Sequence, residues 1–191
     1  MKENVRPRAA VEGWSKIARR IRVPLGFAFA CAYLWLAKPT VAVIALGSLV
    51  TVLGLAIRAI ASGQLKKNEM LAMSGPYSYT RNPLYLGSIV IGVGFALAAR
   101  SVWVWILLAA LFLAIYVPVI RSEEAFLRAS FPDFESYAAR VPRLLPRWSG
   151  ESLTANFSRE LYLKHREYNA LLGAALMMVA ITLKMLMVKT A

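Results

Sequence analysis

The sequence predicts an all-α integral membrane protein with about five transmembrane helices, and three observations predict it. Hydrophobic residues make up 59% of the 191-residue chain, above the roughly 45–50% of a soluble domain, and mean hydropathy is +0.54. The apolar residues gather into runs near the ~20 residues that cross a bilayer core. The 23 Lys and Arg, set against 10 Asp and Glu, fall mostly between alternate runs, the asymmetry of the positive-inside rule. A separate soluble nucleotide-binding domain of roughly 100–150 residues does not fit beside these spans. The chain therefore reads as a single membrane domain over 1–191.

The first span is expected over residues 23–37 and the second over 41–60. The third covers 84–99 and is short, so it sits untilted or partly shielded by neighbours. The fourth runs over 102–120 and the fifth over 170–188. Between the last two, residues 122–140 read as an amphipathic interfacial helix with a break at Pro132. On it Ala125, Phe126, Leu127, Phe131, Phe134 and Tyr137 bury, while Glu124, Arg128, Asp133 and Glu135 face water. Val141-Pro142 and Pro146 end that helix, and another over residues 154–168 leads into the fifth span.

Placing the N-terminus in the cytoplasm puts Lys2, Arg6, Arg8, Lys16, Arg19, Arg20 and Arg22 on that side. Arg58, Lys66, Lys67 and Arg81 join them after the second span, and a third group from Arg121 to Arg166 follows the fourth. Lys38, Arg100 and Lys189 fall outside, and Lys184 lies within the last span, where it is expected to snorkel, with an inward-facing role as the alternative. The start of the chain is not expected to be a cleaved signal peptide, because the apolar run after the basic stretch is long enough to stay in the membrane. The net charge of +13 is a topology and anionic-lipid signal. No separate basic domain is present to carry nucleic-acid binding, so no nucleic-acid partner is expected.

One cysteine, Cys31, and one histidine, His165, exclude an intramolecular disulfide and a multi-histidine metal site. Cys31 reads as a lipid-facing or packing residue and His165 as a solvated or headgroup-facing one. No metal is expected.

Two constellations stand out. The first is the segment from Gly75 to Gly87, GPYSYTRNPLYLG, with two prolines, three tyrosines and an arginine at the mouth of the third span. Gly75-Pro76 signals a turn. Pro83 biases Asn82 away from helix and suits a first helical turn. The free amides of that turn favour an anionic group such as a carboxylate. An interfacial aromatic belt with an N-capping Asn explains the same residues equally well. The second constellation is Arg121-Ser122-Glu123-Glu124 at the end of the fourth span. Adjacent carboxylates at a membrane boundary are costly unless solvated, paired or used. A charge cluster that only marks the water boundary is the alternative. Spans three and four form a hairpin, so both constellations lie at one membrane face and one joint pocket is expected. Gly92 and Gly94 lie inside a span without a strand or a ribose-binding acid, and read as packing residues.

At these sites the chain resembles the isoprenylcysteine carboxyl methyltransferase family, which is related to membrane phospholipid N-methyltransferases. Gly75, Tyr77, Arg81, Pro83, Tyr85 and Gly87 match the first block. Glu123, Glu124, Leu127, Phe131, Tyr137, Val141 and Pro142 match the second. The resemblance covers residues 62–146, a methyltransferase-like region with spans three and four; 1–61 and 147–191 carry no motif. It implies S-adenosyl-L-methionine in a cytoplasm-facing pocket formed by loops and an interfacial helix. It also implies methyl transfer to a lipid or lipidated substrate entering from the bilayer. Tyr77, Arg81, Asn82, Pro83, Leu84, Tyr85 and Glu123 would bind the cofactor, with Glu69, Met70, Leu71 and Ala72 as a backbone wall. Arg121, Glu123 and Glu124 would be the catalytic candidates, Arg121 on the substrate side. Asn82 stands where the family carries histidine, and an Asn cannot titrate near neutral pH. An ionised carboxylate acceptor needs no base, whereas an amine would need Glu123 or Glu124. Carboxyl O-methylation of an isoprenylcysteine-like substrate is therefore the expected reaction. Phospholipid or small-lipid N-methylation, a sterol-reductase-like enzyme and a non-catalytic scaffold are the alternatives.

Overall fold

The computed structural model describes residue 24 and residues 26–66, 70–154 and 157–190. The N-terminal basic segment, Lys67 and the expected site residue Glu69 lie outside them. The described chain is all-helical. Helix α1 (Gly26–Leu36) is followed by α2 (Val41–Ser62), the single turn α3 (Pro76–Tyr79) and α4 (Pro83–Ala99). An apolar rod from Val102 to Ser130 comprises α5 (Val102–Leu111), a π-helical turn (Phe112–Tyr116) and α6 (Val117–Ser130). Then come α7 (Phe134–Arg140), α8 (Arg159–Lys164) and α9 (Tyr168–Thr190).

Three helices are long and apolar enough to cross a membrane, Val41–Ser62, Val102–Ser130 and Tyr168–Val188, and α1 and α4 are shorter apolar helices. The chain is an integral membrane protein. At ~1.5 Å per residue, α4 is about 26 Å long, under the ~30 Å of a hydrocarbon core. It is shielded by α2. A Cβ on Gly47 would stand 2.4 Å from the Gly94 carbonyl oxygen, and one on Gly54 would stand 2.7 Å from that of Gly87. Each glycine of a pair lies two turns from the next on its own helix, so the antiparallel backbones touch along one seam. Gly92 meets Leu108 of α5 instead.

Arg100, in left-handed conformation (φ 49°), closes the α4–α5 turn, and Lys38 N donates to Ala99 O (2.8 Å) from the α1–α2 turn. A core of Tyr33, Ala37, Ala96, Ala99, Val104 and Ile181 fills this end. Lys184 does not snorkel: its ammonium donates to the carbonyls of Leu34, Trp35 and Ala37 and caps α1. A buried end of a helix leaves orphan carbonyls, and a lysine reaching from α9 satisfies them. Cys31 is exposed on α1.

Two expected elements differ in detail from the sequence reading. The fourth expected span and the amphipathic helix expected after it are one continuous helical rod to Ser130, because the charged turns that join them are good helix formers. The break falls at 131–133, at Pro132 as expected, before α7. The expected helix over 154–168 begins only at Arg159, where Ser158 Oγ accepts from Leu161 N (3.3 Å). It ends at Lys164, and Arg166 (φ 53°) turns the chain into α9. Residues 155–156 of that prediction lie outside the described residues. His165 is half-buried, with Nδ1–H donating to Ser62 O (3.1 Å).

Candidate functional site

The motif loop is shaped by a backbone that only glycine adopts easily. Gly75 has φ 60° and ψ −130°, and a Cβ there would lie 2.1 Å from Gln64 Oε1. Its amide donates to Glu151 Oε2 (3.0 Å). Pro76 opens the single turn α3, Thr80 leaves it extended, and Pro83 begins α4 after Asn82. The missing N–H of each proline falls where a helix has no internal partner for it.

The loop folds onto Glu124. Only 4% exposed, this carboxylate is held on three sides. Arg143 Nε and Nη2 lie 2.9 and 2.8 Å from Oε2. Asn82 Nδ2 donates to Oε1 at 3.3 Å and to Arg143 O at 2.9 Å. Arg81 Nε is 3.5 Å from Oε1. The two sequence blocks therefore meet at one end of the bundle. Glu124 does not face water as the helical periodicity predicts, because the motif loop and the chain around Arg143 cover the turn that carries it. Asn82 acts as a neutral donor that orients Glu124, a role that requires no titration.

Glu123, Arg121 and Arg128 remain exposed on the same helix. Tyr77 is 7% exposed, and its hydroxyl has no hydrogen-bond partner among the described residues. Burial chiefly raises its pKa; Tyr137, Glu123 and Glu167 add to this and Arg58 opposes it. The Tyr77 carbonyl accepts from Tyr137 Oη (2.7 Å). Tyr137 is also raised, first by burial, with Arg81 lowering and Glu124 raising it. Tyr85 stands edge-on to Tyr116 (5.7 Å between ring centroids) and packs with Ile115 and Val119. Leu84 turns its carbonyl to Arg58, and Pro83 is buried. Met70 is exposed, and Leu71 and Ala72 are half-buried in the irregular stretch before Gly75.

Three features around the site were not singled out by periodicity or motif. Arg58, on the last turns of α2, forks onto Glu167 (Nε–Oε2 3.0 Å, Nη2–Oε1 2.7 Å). Its Nη1 also donates to Leu84 O (3.3 Å) and Ser88 Oγ (2.5 Å). This clamp grips the first turns of α4 from behind; Gly87 leaves it space, since a Cβ there would lie 2.6 Å from Arg58 Cγ. The second feature is the π-helical turn, whose signal is Pro118. Lacking an N–H, Pro118 cannot bond the carbonyl four residues earlier, and the ladder slips there. The third is the strap of residues 141–154, which crosses the loop. Arg81 N donates to Pro142 O and Arg147 N to Tyr79 O (both 2.9 Å), and Tyr79 Oη donates to Glu151 O (2.6 Å).

Shallow grooves open on the surface of the helical bundle. One is lined by Ile44, Ser48, Met178 and Thr182, the other by Leu55, Ala59, Tyr162, Glu167 and Leu171. Neither is lined by residues of the motif loop. No group of three or more His, Cys, Asp or Glu side chains gathers among the described residues.

A polar cluster of loop and helix-end residues thus lies at one end of an apolar, membrane-spanning helical bundle. A family model described as phospholipid methyltransferase matches residues 35–133, just over half of the chain, and the chain belongs to that family of membrane methyltransferases. The matched stretch holds Arg58, the motif loop and Glu124, and stops before Arg143, Glu151 and Glu167. The chain is 42% identical over 90 residues to the cobalt-zinc-cadmium resistance protein CzcN of Cupriavidus metallidurans, covering 46% of this chain and 42% of that one. It is 40% identical over 84 residues to the nickel-cobalt-cadmium resistance protein NccN of Alcaligenes xylosoxydans xylosoxydans, covering 44% of this chain and 39% of that one. The similarity thus spans less than half the length of either relative. No solved structure matches the chain.

Proposed function

We propose that the chain is an S-adenosyl-L-methionine-dependent methyltransferase that esterifies a carboxylate on a lipid-borne group of the isoprenylcysteine type. Family membership supports the methyl transfer, and members of the family generally use this cofactor. The residues fit it. The Tyr77 hydroxyl is buried without a hydrogen-bond partner among the described residues, and the buried Arg81 Nε makes an ion pair with Glu124 (3.5 Å) but no hydrogen bond among them. Glu123 presents an exposed carboxylate within electrostatic reach of Tyr77. Arg81 and Tyr77 would hold the anionic and oxygen-bearing parts of the cofactor, and Glu123 its ammonium or ribose hydroxyls. When bound, the cofactor supplies an electrophilic methyl group on sulfur.

The observation that carries the carboxylate acceptor is the state of Glu124. Two arginines and Asn82 occupy it, so the buried carboxylate of the site serves as an anchor and not as a proton acceptor. His165 is tied to Ser62 O through Nδ1. An amine acceptor must lose a proton before it attacks, whereas a carboxylate is already ionised. Arg121, exposed one helical turn from Glu124, neutralises the acceptor and aligns it, and loop and strap exclude water from the transfer. The N-terminus and the site face the cytoplasm in this reading, in keeping with the basic residues at that end.

The family description supports phospholipid N-methylation as the second reading, with Glu123 as base. Membranes incubated with methyl-labelled cofactor separate the two. A carboxyl methyl ester releases volatile label in mild alkali. Label that stays alkali-stable in a phospholipid fraction would replace the carboxylate reading with N-methylation.

A further inference from the structure

The strap does more than close the loop. Its inward side is fixed by main-chain bonds: Pro142 O and Arg147 N pair with residues 81 and 79, and Thr80 Oγ1 donates to Leu144 O (3.0 Å). Its other side carries two large apolar groups in the open, Leu145 at 79% and Trp148 at 84% exposure. Trp148 is held in place edge-on to Tyr79 (5.8 Å, 85°). Arg140, whose Nε donates to Ser136 O (3.2 Å), and Arg147 are exposed on the same stretch of chain, and Arg143 is half-exposed while it grips Glu124. From residue 136 to 150 there are three arginines and no Asp or Glu.

Exposed Trp and Leu interleaved with arginines, at the end of membrane-spanning helices, match the chemistry of a headgroup layer. The indole suits the boundary between acyl chains and water, and guanidinium groups bind phosphate in forked pairs. A surface facing only water would leave the two apolar groups without cover. A surface facing an acidic protein would have no need of them in a chain already anchored in the bilayer.

We propose that the strap up to Trp148, together with Arg140 at the end of α7, docks on anionic phospholipid. Trp148 and Leu145 enter the acyl boundary, and Arg140 and Arg147 bind headgroup phosphates of the leaflet at the motif end. Because the same strap delivers Arg143 to Glu124 and pairs with the motif loop, docking holds the candidate site assembled. Lipid charge then regulates the site through its geometry.

The test uses the full chain in nanodiscs of phosphatidylcholine, with or without phosphatidylglycerol. The contribution of Trp148 to fluorescence is taken as the difference from the Trp148→Phe variant. Doxyl-labelled lipid should quench that contribution, and phosphatidylglycerol should slow amide exchange of residues 141–150 several-fold at low salt. The Arg140→Gln/Arg147→Gln variant should lose the dependence on lipid charge while its melting temperature stays unchanged. Quenching of Trp148 by aqueous iodide and not by doxyl lipid would overturn the proposal, as would lipid-charge dependence surviving in the double variant. Neither readout requires methyl transfer, so the proposal and the enzymatic reading fail separately.

Discussion

Two arginine–carboxylate clusters sit at the same end of this bundle and are built in opposite ways. Around Glu124 the partners come from irregular chain: Arg81 and Asn82 from the motif loop and Arg143 from the strap. Around Glu167 they come from helices: Arg58 of α2 ties the start of α9 to Leu84 and Ser88 of α4. Both carboxylates are little exposed, with side chains at 5% and 11%. The first cluster fixes segments that have no ladder of their own, so its bonds are what shape them. The second joins helices that already exist and sets only their separation and rotation. Loss of the first should disorganise a site, and loss of the second should shift one.

The sharpest way to break this contrast is Glu124→Ala. It leaves Arg81 and Arg143 facing each other without a counter-ion, and removing one partner of a buried pair costs about 3–5 kcal/mol. Thermal unfolding should show that loss, and calorimetry should show no binding of S-adenosylhomocysteine. A variant that stays as stable as the parent would remove the anchoring role of Glu124.

Glu167→Ala should cost less, about 2–3 kcal/mol, because Arg58 keeps Ser88 Oγ and Leu84 O as acceptors. Arg58→Lys should fall between parent and Glu167→Ala, since an ammonium retains the charge and loses the fork. Both should still bind S-adenosylhomocysteine. Complete loss of binding in a folded Glu167→Ala protein would erase the distinction between the clusters.

Glu123→Gln separates the neighbours on α6. It should leave stability unchanged and weaken cofactor-product binding about tenfold, or ~1.4 kcal/mol. Glu135→Gln, which removes only an exposed pair with Arg128, should change neither stability nor binding. Equal binding losses in the two variants would count against a ligand-contacting Glu123.

The smallest effect concerns the Tyr77 phenol. Burial raises it above its ordinary value of 10.0, so above that pH the unfolded chain releases a proton that the folded chain keeps. The folded form then binds more protons, and stability falls as pH rises. Below pH 10 its contribution is complete. Tyr77→Phe should flatten that fall in melting temperature between pH 9 and 11 by part only, because Tyr137 is shifted the same way. An unchanged slope would show that Tyr77 is not desolvated.

Much of this layout is legible in the residue order. Pro83 marks the start of α4, Pro132 the break after α6, and Gly75-Pro76 the turn into α3, because each acts through its own backbone. Glu124 is illegible for the opposite reason. It lies one turn from Arg128, on the face that periodicity assigns to water, and only chain from residues 81–82 and 143 covers it. Arg58 and Glu167 are 109 residues apart, and each reads locally as a surface charge near a span end. Pro118 was a usable signal for the π-helical turn, since a proline inside an apolar helix must disturb its ladder.

By itself the sequence determined that the chain crosses a membrane, which end carries the basic residues, and where the loop and helix starts fall. These properties follow from hydropathy and local backbone preference, which act within a few residues. Tertiary structure alone decided which carboxylate is buried and which stays open, and that a strap from beyond the fourth span closes the motif loop. It also decided that α9 is clamped to α4 through α2. Those outcomes depend on long-range pairing of charges and on the close approach of α2 and α4, where a partner's position outweighs any residue's own preference.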